Sequence, residues 1–109
     1  MRIEIIKCLL DNYSYLLIDE VSNEACVIDP SEASPIIDYC EKNNIKPKYI
    51  LNTHHHFDHV GGNKEIKNKY ASIILGFKED KDRIPGIDVF LQDQQIWKKD
   101  NFEAKIIHI

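Results

Sequence analysis

The residues best suited to do chemistry lie in one segment, residues 53–62, with the sequence THHHFDHVGG, here called the histidine segment. Four of the five histidines of the chain and one aspartate fall within six consecutive positions of it. Because side chains alternate between the faces of a strand, His54 and His56 point the same way at the end of a predicted strand. These two imidazoles can therefore bind one metal ion. Asp58 and His59 follow where the chain turns toward a helix, so they can bind a second ion nearby. Zinc accepts this mixture of imidazole and carboxylate ligands.

Three other polar residues need separate interpretations. His55 is interpreted as an outward-facing neighbour of the ligands, and His108 as an ordinary strand residue. Asp29 ends a predicted strand before Pro30, so it is either a turn residue or a hydrogen-bond acceptor that orients a ligand histidine. A histidine tract can also be a tag or a loose metal-scavenging sequence. Here the histidines are internal, are interleaved with an aspartate and precede two glycines, which favours a built metal site.

The elements upstream of the histidine segment are predicted from periodicity and turn residues. Three extended segments, Arg2 to Cys8, Tyr13 to Asp19 and Ala25 to Asp29, predict an antiparallel meander. Ser34 before Pro35 is typical of a helix N-cap followed by a proline in the first helical position. The amphipathic pattern that follows predicts a helix ending near residues 43–44.

The histidine segment itself is predicted to lie between a strand and a helix. Lys48 to Leu51 predicts a buried strand, and the order strand, helix, strand implies that it runs parallel to its neighbour. A second helix is predicted from Asn63, then a strand from Ser72 to Leu75 and an exposed loop from Gly76 to Gly86. The remaining predicted strands are Val89 to Leu91, Gln95 to Lys98 and Phe102 to Ile109.

Length and composition limit the class of protein. A chain of 109 residues, 43% hydrophobic and 29% charged, predicts one globular domain. Its formal net charge of -4 at pH 7 argues against nucleic-acid and anionic-membrane partners, which require a basic surface. No apolar run approaches the ~20 residues that span a bilayer, and the charges within the first seven residues are not expected in the apolar core of a signal peptide. We therefore expect a cytoplasmic protein in which Cys8, Cys26 and Cys40 are buried thiols.

The pattern H-x-H-x-D-H after a short strand and before a helix resembles the metallo-β-lactamase superfamily, whose fold is a four-layer αββα sandwich of two similar halves. Within it, residues 53–62, the opening residues 11–13 and the loop of residues 82–86 are similar to glyoxalase II, the hydroxyacylglutathione hydrolase. The resemblance covers the whole chain. It implies an α/β (α+β) fold, half of the sandwich, with a mixed sheet and two helices, and it makes residues 1–109 the N-terminal half of the domain.

In glyoxalase II the matching residues imply one zinc ion held by His54 and His56 and another held by Asp58 and His59. A bridging hydroxide is then the nucleophile, and Asp58 is a catalytic residue that can aim it. Iron or manganese are alternative metals. The implied reaction is hydrolysis of S-lactoylglutathione to lactate and glutathione, a step of methylglyoxal detoxification. Persulfide dioxygenases, which use iron, share the motif and are a minor alternative.

The resemblance also implies parts that this chain lacks. Further histidine ligands, a bridging aspartate and a helical glutathione-binding domain would lie beyond Ile109. The family is a metal-dependent thioester hydrolase, but we expect this chain alone to be inactive. The alternatives are a non-catalytic metal-binding remnant and one part of a split protein. The expected partners are a second copy of the chain or a complementing second half, with neither nucleic acid nor a membrane.

Overall fold

The computed structural model describes residues 1–8, 12–53, 60–80, 82–84 and 86–107, which contain a six-stranded sheet, two α-helices and a separate two-stranded hairpin. The sheet strands are β1 (Arg2–Cys8), β2 (Asn12–Asp19), β3 (Glu24–Ile28), β4 (Lys46–Leu51), β5 (Ile73–Phe77) and β6 (Val89–Leu91). The helices are α1 (Ala33–Asn43) and α2 (Asn63–Tyr70), and the hairpin consists of β7 (Ile96–Lys99) and β8 (Phe102–Lys105).

The sheet is mixed, as predicted. Its strands lie in sequence order from β1 to β6, antiparallel from β1 to β3 and parallel from β3 to β6. The predicted meander and the parallel partner of the following strand are therefore confirmed. Since helices α1 and α2 connect parallel strands, the carboxyl ends of β3, β4, β5 and β6 share one edge of the sheet. The histidine segment leaves β4 at that edge.

Helix α1 begins two residues earlier than predicted. Glu32, with extended backbone angles of φ -134° and ψ 143°, occupies the N-cap position, and Ala33 is the first helical residue. The prediction that Ser34 is the N-cap was therefore wrong. Pro35 still fits the first turn, because the backbone N–H groups there have no acceptor within the helix. The helix ends at Asn44, whose left-handed backbone conformation (φ 56°) confirms the predicted end.

The two helices cover one face of the sheet with a continuous apolar core. The N-terminal helix packs through Ile36 and Cys40, and α2 packs through Ile66. The sheet residues of this core are fully buried and alternate along their strands: Leu16, Ile18, Ala25, Val27, Ile50 and Ile74. Neither helix in the described part of the chain is long and apolar enough to cross a bilayer. The predicted burial of Cys8, Cys26 and Cys40 as free thiols is confirmed.

The hairpin packs on part of the opposite face of the sheet. The ring of Tyr49 in β4 makes edge-to-face contacts with Trp97 at 5.1 Å and Phe102 at 5.8 Å between centroids. On β1 and β2 the same face is open to solvent. The exposed apolar side chains there are Ile3, Ile5, Tyr13 and Tyr15.

Polar contacts fix the turn of the hairpin to the sheet. The Tyr49 hydroxyl donates to Asp100 Oδ2 at 2.5 Å, and Lys48 Nζ donates to the same oxygen at 2.9 Å. Asn101 donates through Nδ2 to Asp19 at 2.5 Å. The hydrogen bond from Tyr49 lowers the pKa of Asp100, while burial raises the pKa of the Tyr49 hydroxyl to about 12. Both shifts match a phenol that donates to an ionised carboxylate.

Several predicted boundaries differ from the structure. Strand β4 starts at Lys46 because its backbone N–H donates to Asn23 O at 2.9 Å and continues the ladder with β3. Strand β5 runs to Phe77, inside the predicted loop, because it pairs with β6. Ile84 of that loop is buried against Gly76, so the loop is not exposed throughout. Strand β8 ends at Lys105, short of the predicted end; residues 108–109 lie outside the described residues.

Candidate metal centre

The predicted ligands His54, His56, Asp58 and His59 lie outside the described residues, as do His55 and His108. Metal ligation by these residues therefore stays a prediction. Within the ranges that the structure describes, no group of three or more His, Cys, Asp or Glu side chains could hold a metal ion. What the structure does describe is how both ends of the histidine segment are fixed to the sheet and to α1.

The segment starts from a position that Asp29 fixes. The backbone N–H of Thr53 donates to Asp29 Oδ1 at 2.7 Å, and the Thr53 hydroxyl donates to Asp29 Oδ2. The backbone of Asp29 is in turn tied to β4, because its N–H donates to Leu51 O at 3.0 Å. Both carboxylate oxygens of this 7% exposed residue thus contact the residue that precedes His54.

Asp29 adopts a left-handed backbone conformation, with φ 52°. Such conformations are costly for residues other than glycine, although aspartate tolerates them better than most, and they recur at functional sites. The carbonyl of Asp29 accepts a hydrogen bond from Ser14 Oγ at 2.7 Å, which stabilises this backbone conformation. The structure thus shows that Asp29 is a hydrogen-bond acceptor for Thr53. Orientation of a ligand histidine by Asp29 stays a prediction.

The segment ends at a glycine that no other residue can replace without displacement of the backbone. The N–H of Gly62 donates to Pro30 O at 2.7 Å. A Cβ atom at Gly62 would lie 2.9 Å from both Ala33 N and Glu32 C, closer than such atoms approach in proteins. The second glycine of the motif therefore allows the exit of the segment to press against the start of α1.

Two buried asparagines that flank the segment join its two ends directly. Asn63 Nδ2 donates to Asn52 Oδ1 at 2.6 Å, and Asn52 Nδ2 donates to Asn63 Oδ1 at 3.2 Å. Asn52 is 4% exposed and Asn63 is fully buried. In the sequence, Asn63 marks only the start of a predicted helix, and Asn52 lies in no predicted element. One asparagine follows β4 and the other begins α2, so only the fold reveals that they meet.

A cleft lies at the same edge of the sheet. It has a volume of about 550 Å³ and is lined by Phe77, Lys78 and Glu79 after β5 and by Gln92 and Asp93 after β6. In open sheets with parallel strands, ligands bind at the carboxyl ends of the strands. The histidine segment, which leaves β4 at this edge, and the cleft therefore share the edge where binding is expected.

Comparison of the sequence with known proteins gives a consistent picture. The sequence pattern of the metallo-beta-lactamase superfamily matches residues 9–100. The chain is 64% identical over 109 residues to a hydroxyacylglutathione hydrolase of Pelagibacter ubique (strain HTCC1062), covering 100% of this chain and 46% of the relative. It is 47% identical over 94 residues to a hydroxyacylglutathione hydrolase of Synechocystis sp., covering 85% of this chain and 37% of the relative. The chain thus spans less than half the length of either relative.

Solved structures share the fold. The crystal structure of the BLEG-1 B3 metallo-beta-lactamase superposes with a TM-score of 0.82 at 19% identity, covering 95% of this chain and 59% of that protein. The crystal structure of ETHE1 from Myxococcus xanthus superposes with a TM-score of 0.75 at 17% identity, covering 94% of this chain and 46% of that protein. The predicted fold class, half of such a sandwich, is confirmed.

Proposed function

The chain belongs to the metallo-beta-lactamase superfamily, and from this premise we propose that it supplies the first half of the metal centre of a glyoxalase II. The observation that carries the proposal is that hydrogen bonds hold both ends of the histidine segment in place. Asp29 fixes its entry, and Pro30 O fixes its exit, both at the edge of the sheet that holds the cleft. The identity to hydroxyacylglutathione hydrolases along the chain supports the same assignment.

We propose that His54 and His56 hold one zinc ion and that Asp58 and His59 hold the other. The donor set fits zinc, since imidazole nitrogens and a carboxylate oxygen are its usual ligands besides thiolates. Iron and manganese are the alternative metals. When bound, the ions lower the pKa of water toward neutrality and polarise a carbonyl group as Lewis acids. Asp58 would accept a hydrogen bond from the attacking hydroxide and so orient it toward the substrate.

The proposed substrate class is a glutathione thioester, with S-lactoylglutathione hydrolysed to lactate and glutathione. The names of the similar relatives support this class. Residues 1–109 would be the N-terminal half of the catalytic domain, as the resemblance implies, and coverage of 46% of the relative at 64% identity is consistent with this. The further ligands and the glutathione-binding part that the resemblance implies would then lie outside residues 1–109. The predicted cytoplasmic location stays a prediction.

The open face of β1 and β2 supports the need for a complementing polypeptide. Ile3 and Ile5 are 64% and 60% exposed there, which is unusual for adjacent apolar residues on one sheet face. A second half that packs on this face would bury them. The non-catalytic remnant remains the alternative outcome of the test below.

Reconstitution tests the proposal. The chain is mixed with the portion of the Pelagibacter ubique relative that it does not cover, in the presence of zinc, and hydrolysis of S-lactoylglutathione is followed. We expect no turnover from either polypeptide alone and measurable turnover from the mixture, abolished by Asp58→Asn but not by His108→Ala. A mixture that forms a complex and binds zinc without turnover would favour the non-catalytic alternative. Turnover by the chain alone at about 10 s⁻¹, the median of enzymes, would contradict the half-site proposal.

A further inference from the structure

We propose that Asn52 and Asn63 are a positioning pair that sets the distance between the two ends of the histidine segment and thereby its affinity for metal ions. The inference rests on the metal-binding function proposed above and adds two residues to it. Asn52 immediately precedes Thr53, and Asn63 immediately follows Gly62. The pair therefore joins the residue before the histidine segment to the residue after it.

Each asparagine is held by its own element. The backbone N–H of Asn52 donates to Leu75 O at 2.9 Å, which continues the ladder between β4 and β5. Asn63 is the first residue of α2, directly after the N-cap Gly62. The two hydrogen bonds between the side-chain amides, of 2.6 and 3.2 Å, thus connect the residue directly after β4 to the first residue of α2.

The chemistry of the pair fits positioning better than space filling. A primary amide offers both donors and an acceptor, so two of them can bond reciprocally and fix their mutual orientation. Two apolar side chains of similar size would fill the same volume without a preferred orientation. Because burial makes an unpaired amide costly, the pair also resists separation.

The two other contacts at the ends of the histidine segment have a different effect. Asp29 holds the entry at Thr53, and Pro30 O holds the exit at Gly62, so both tie the segment to the connection between β3 and α1. The asparagine pair instead joins entry to exit. Replacement of residues that position metal ligands without binding the metal commonly lowers metal affinity by about 10- to 100-fold.

The test compares zinc affinities, measured by competition with a chromophoric chelator, with thermal unfolding recorded on the same samples. The main variant is Asn52→Leu with Asn63→Leu, because replacement of both partners by apolar groups of similar shape can leave stability nearly unchanged. The matched control is Ser72→Ala. It removes a buried hydrogen bond, from Ser72 Oγ to Pro47 O at 2.5 Å, at the opposite end of β4 and β5.

We expect the double variant to fold and to bind zinc about tenfold more weakly than the parent. Ser72→Ala should unfold at a lower temperature yet bind zinc with unchanged affinity. If the double variant does not fold, Asn63→Ser, which keeps a hydrogen-bonding group at the start of α2, carries the same expected loss.

Equal zinc affinity of the parent and the folded asparagine variant would overturn this inference alone. A loss of affinity in Ser72→Ala as large as in the asparagine variant would also overturn it, because the effect would then follow general stability. Failure of the proposed function looks different: the parent would bind no zinc, or His54→Ala with His56→Ala would bind it as tightly as the parent. In that case the inference falls together with the metal site.

Discussion

At the scale of single residues, Asp29 is held by hydrogen bonds at its carboxylate and at its backbone. Its two carboxylate oxygens accept from the backbone N–H and the hydroxyl of Thr53, and its carbonyl accepts from Ser14. This explains why the chain tolerates a left-handed conformation at φ 52° in a residue other than glycine. The bend directs β3 into the connection to α1, while the carboxylate determines where the histidine segment begins.

Replacement of Asp29 should therefore cost stability. We expect Asp29→Ala to lower the free energy of unfolding by about 1.5–3 kcal/mol, because hydrogen bonds to a charged group are lost. Asp29→Asn should cost less, since the amide keeps an acceptor for the N–H of Thr53 and tolerates the same backbone region. Urea unfolding of the two variants measures the difference. A midpoint for Asp29→Ala equal to that of the parent would contradict the role of this carboxylate.

A second residue-scale prediction concerns Ala71 at the end of α2. Its backbone is left-handed, with φ 57° and ψ 35°, and its N–H donates to Lys67 O. Glycine adopts this conformation without the Cβ penalty, so Ala71→Gly should raise the free energy of unfolding by about 1 kcal/mol. Asn44→Gly, at the same position after α1, is the control and should change less, because asparagine tolerates this region. A lower unfolding temperature for Ala71→Gly would refute the argument.

At the scale of elements, the hairpin is attached to the sheet by aromatic packing and by the carboxylate of Asp100. Trp97 is the single tryptophan of the chain and packs against Tyr49, so its fluorescence reports on this attachment. The hydrogen bond from Tyr49 lowers the pKa of Asp100 below the ordinary value of an aspartate side chain. The attachment is therefore sensitive to acid in a defined direction.

We expect the contribution of Asp100 to be fully present above pH 4, the region in which the carboxyl group of an unfolded chain is ionised. It should be lost as the pH falls through the lowered pKa of the folded state, because protonation then removes the charged acceptor. Asp100→Asn should weaken the attachment at pH 7 and converge with the parent in strong acid. Urea unfolding followed by Trp97 fluorescence from pH 2 to 7 measures this. A difference between the two proteins that grows on acidification would contradict it.

The elements also show how far sequence reasoning reaches. Strands β1 and β6 have the predicted bounds, since alternation and turn residues mark them locally. The N-cap of α1 was misplaced at Ser34, two positions after Glu32, because Ser34 before Pro35 has the usual capping signal whereas Glu32 makes no side-chain capping hydrogen bond. Contacts between distant residues, such as Tyr49 with Asp100 and Asn52 with Asn63, depend on tertiary packing and leave no periodic pattern. The sequence predicts the ligand types of the site, which stay a prediction, but it does not predict these supporting contacts.

At the scale of the whole molecule, the uneven covering of the sheet is the main feature. Helices α1 and α2 cover one face of the sheet, whereas the hairpin covers only part of the opposite face. Strand β1 is an edge strand, and its Ile3 and Ile5 lie beside Tyr13 and Tyr15 of β2 on the open side. Apolar surface next to an unpaired edge favours association.

In a solution of the purified chain, a second copy is the molecule available to cover this surface, so we expect a dimer or larger species. Ile5→Lys should shift the chain toward monomer, because a charge on the contact surface must lose its hydration on association. Val21→Lys, at a position 93% exposed in the turn between β2 and β3, is the matched control and should not. Sedimentation velocity over a range of concentrations distinguishes these outcomes. A monomeric parent with cooperative unfolding would show that the open face needs no cover.

The central claim is that the histidine segment binds metal, and a zinc titration of the isolated chain against a competing chelator tests it most directly. The account predicts that the parent binds zinc and that His54→Ala with His56→Ala loses about tenfold or more in affinity, because two imidazole ligands are removed. His108→Ala, a histidine outside the segment, should bind as the parent does. Equal zinc affinity of the parent and the His54→Ala, His56→Ala variant would contradict the account.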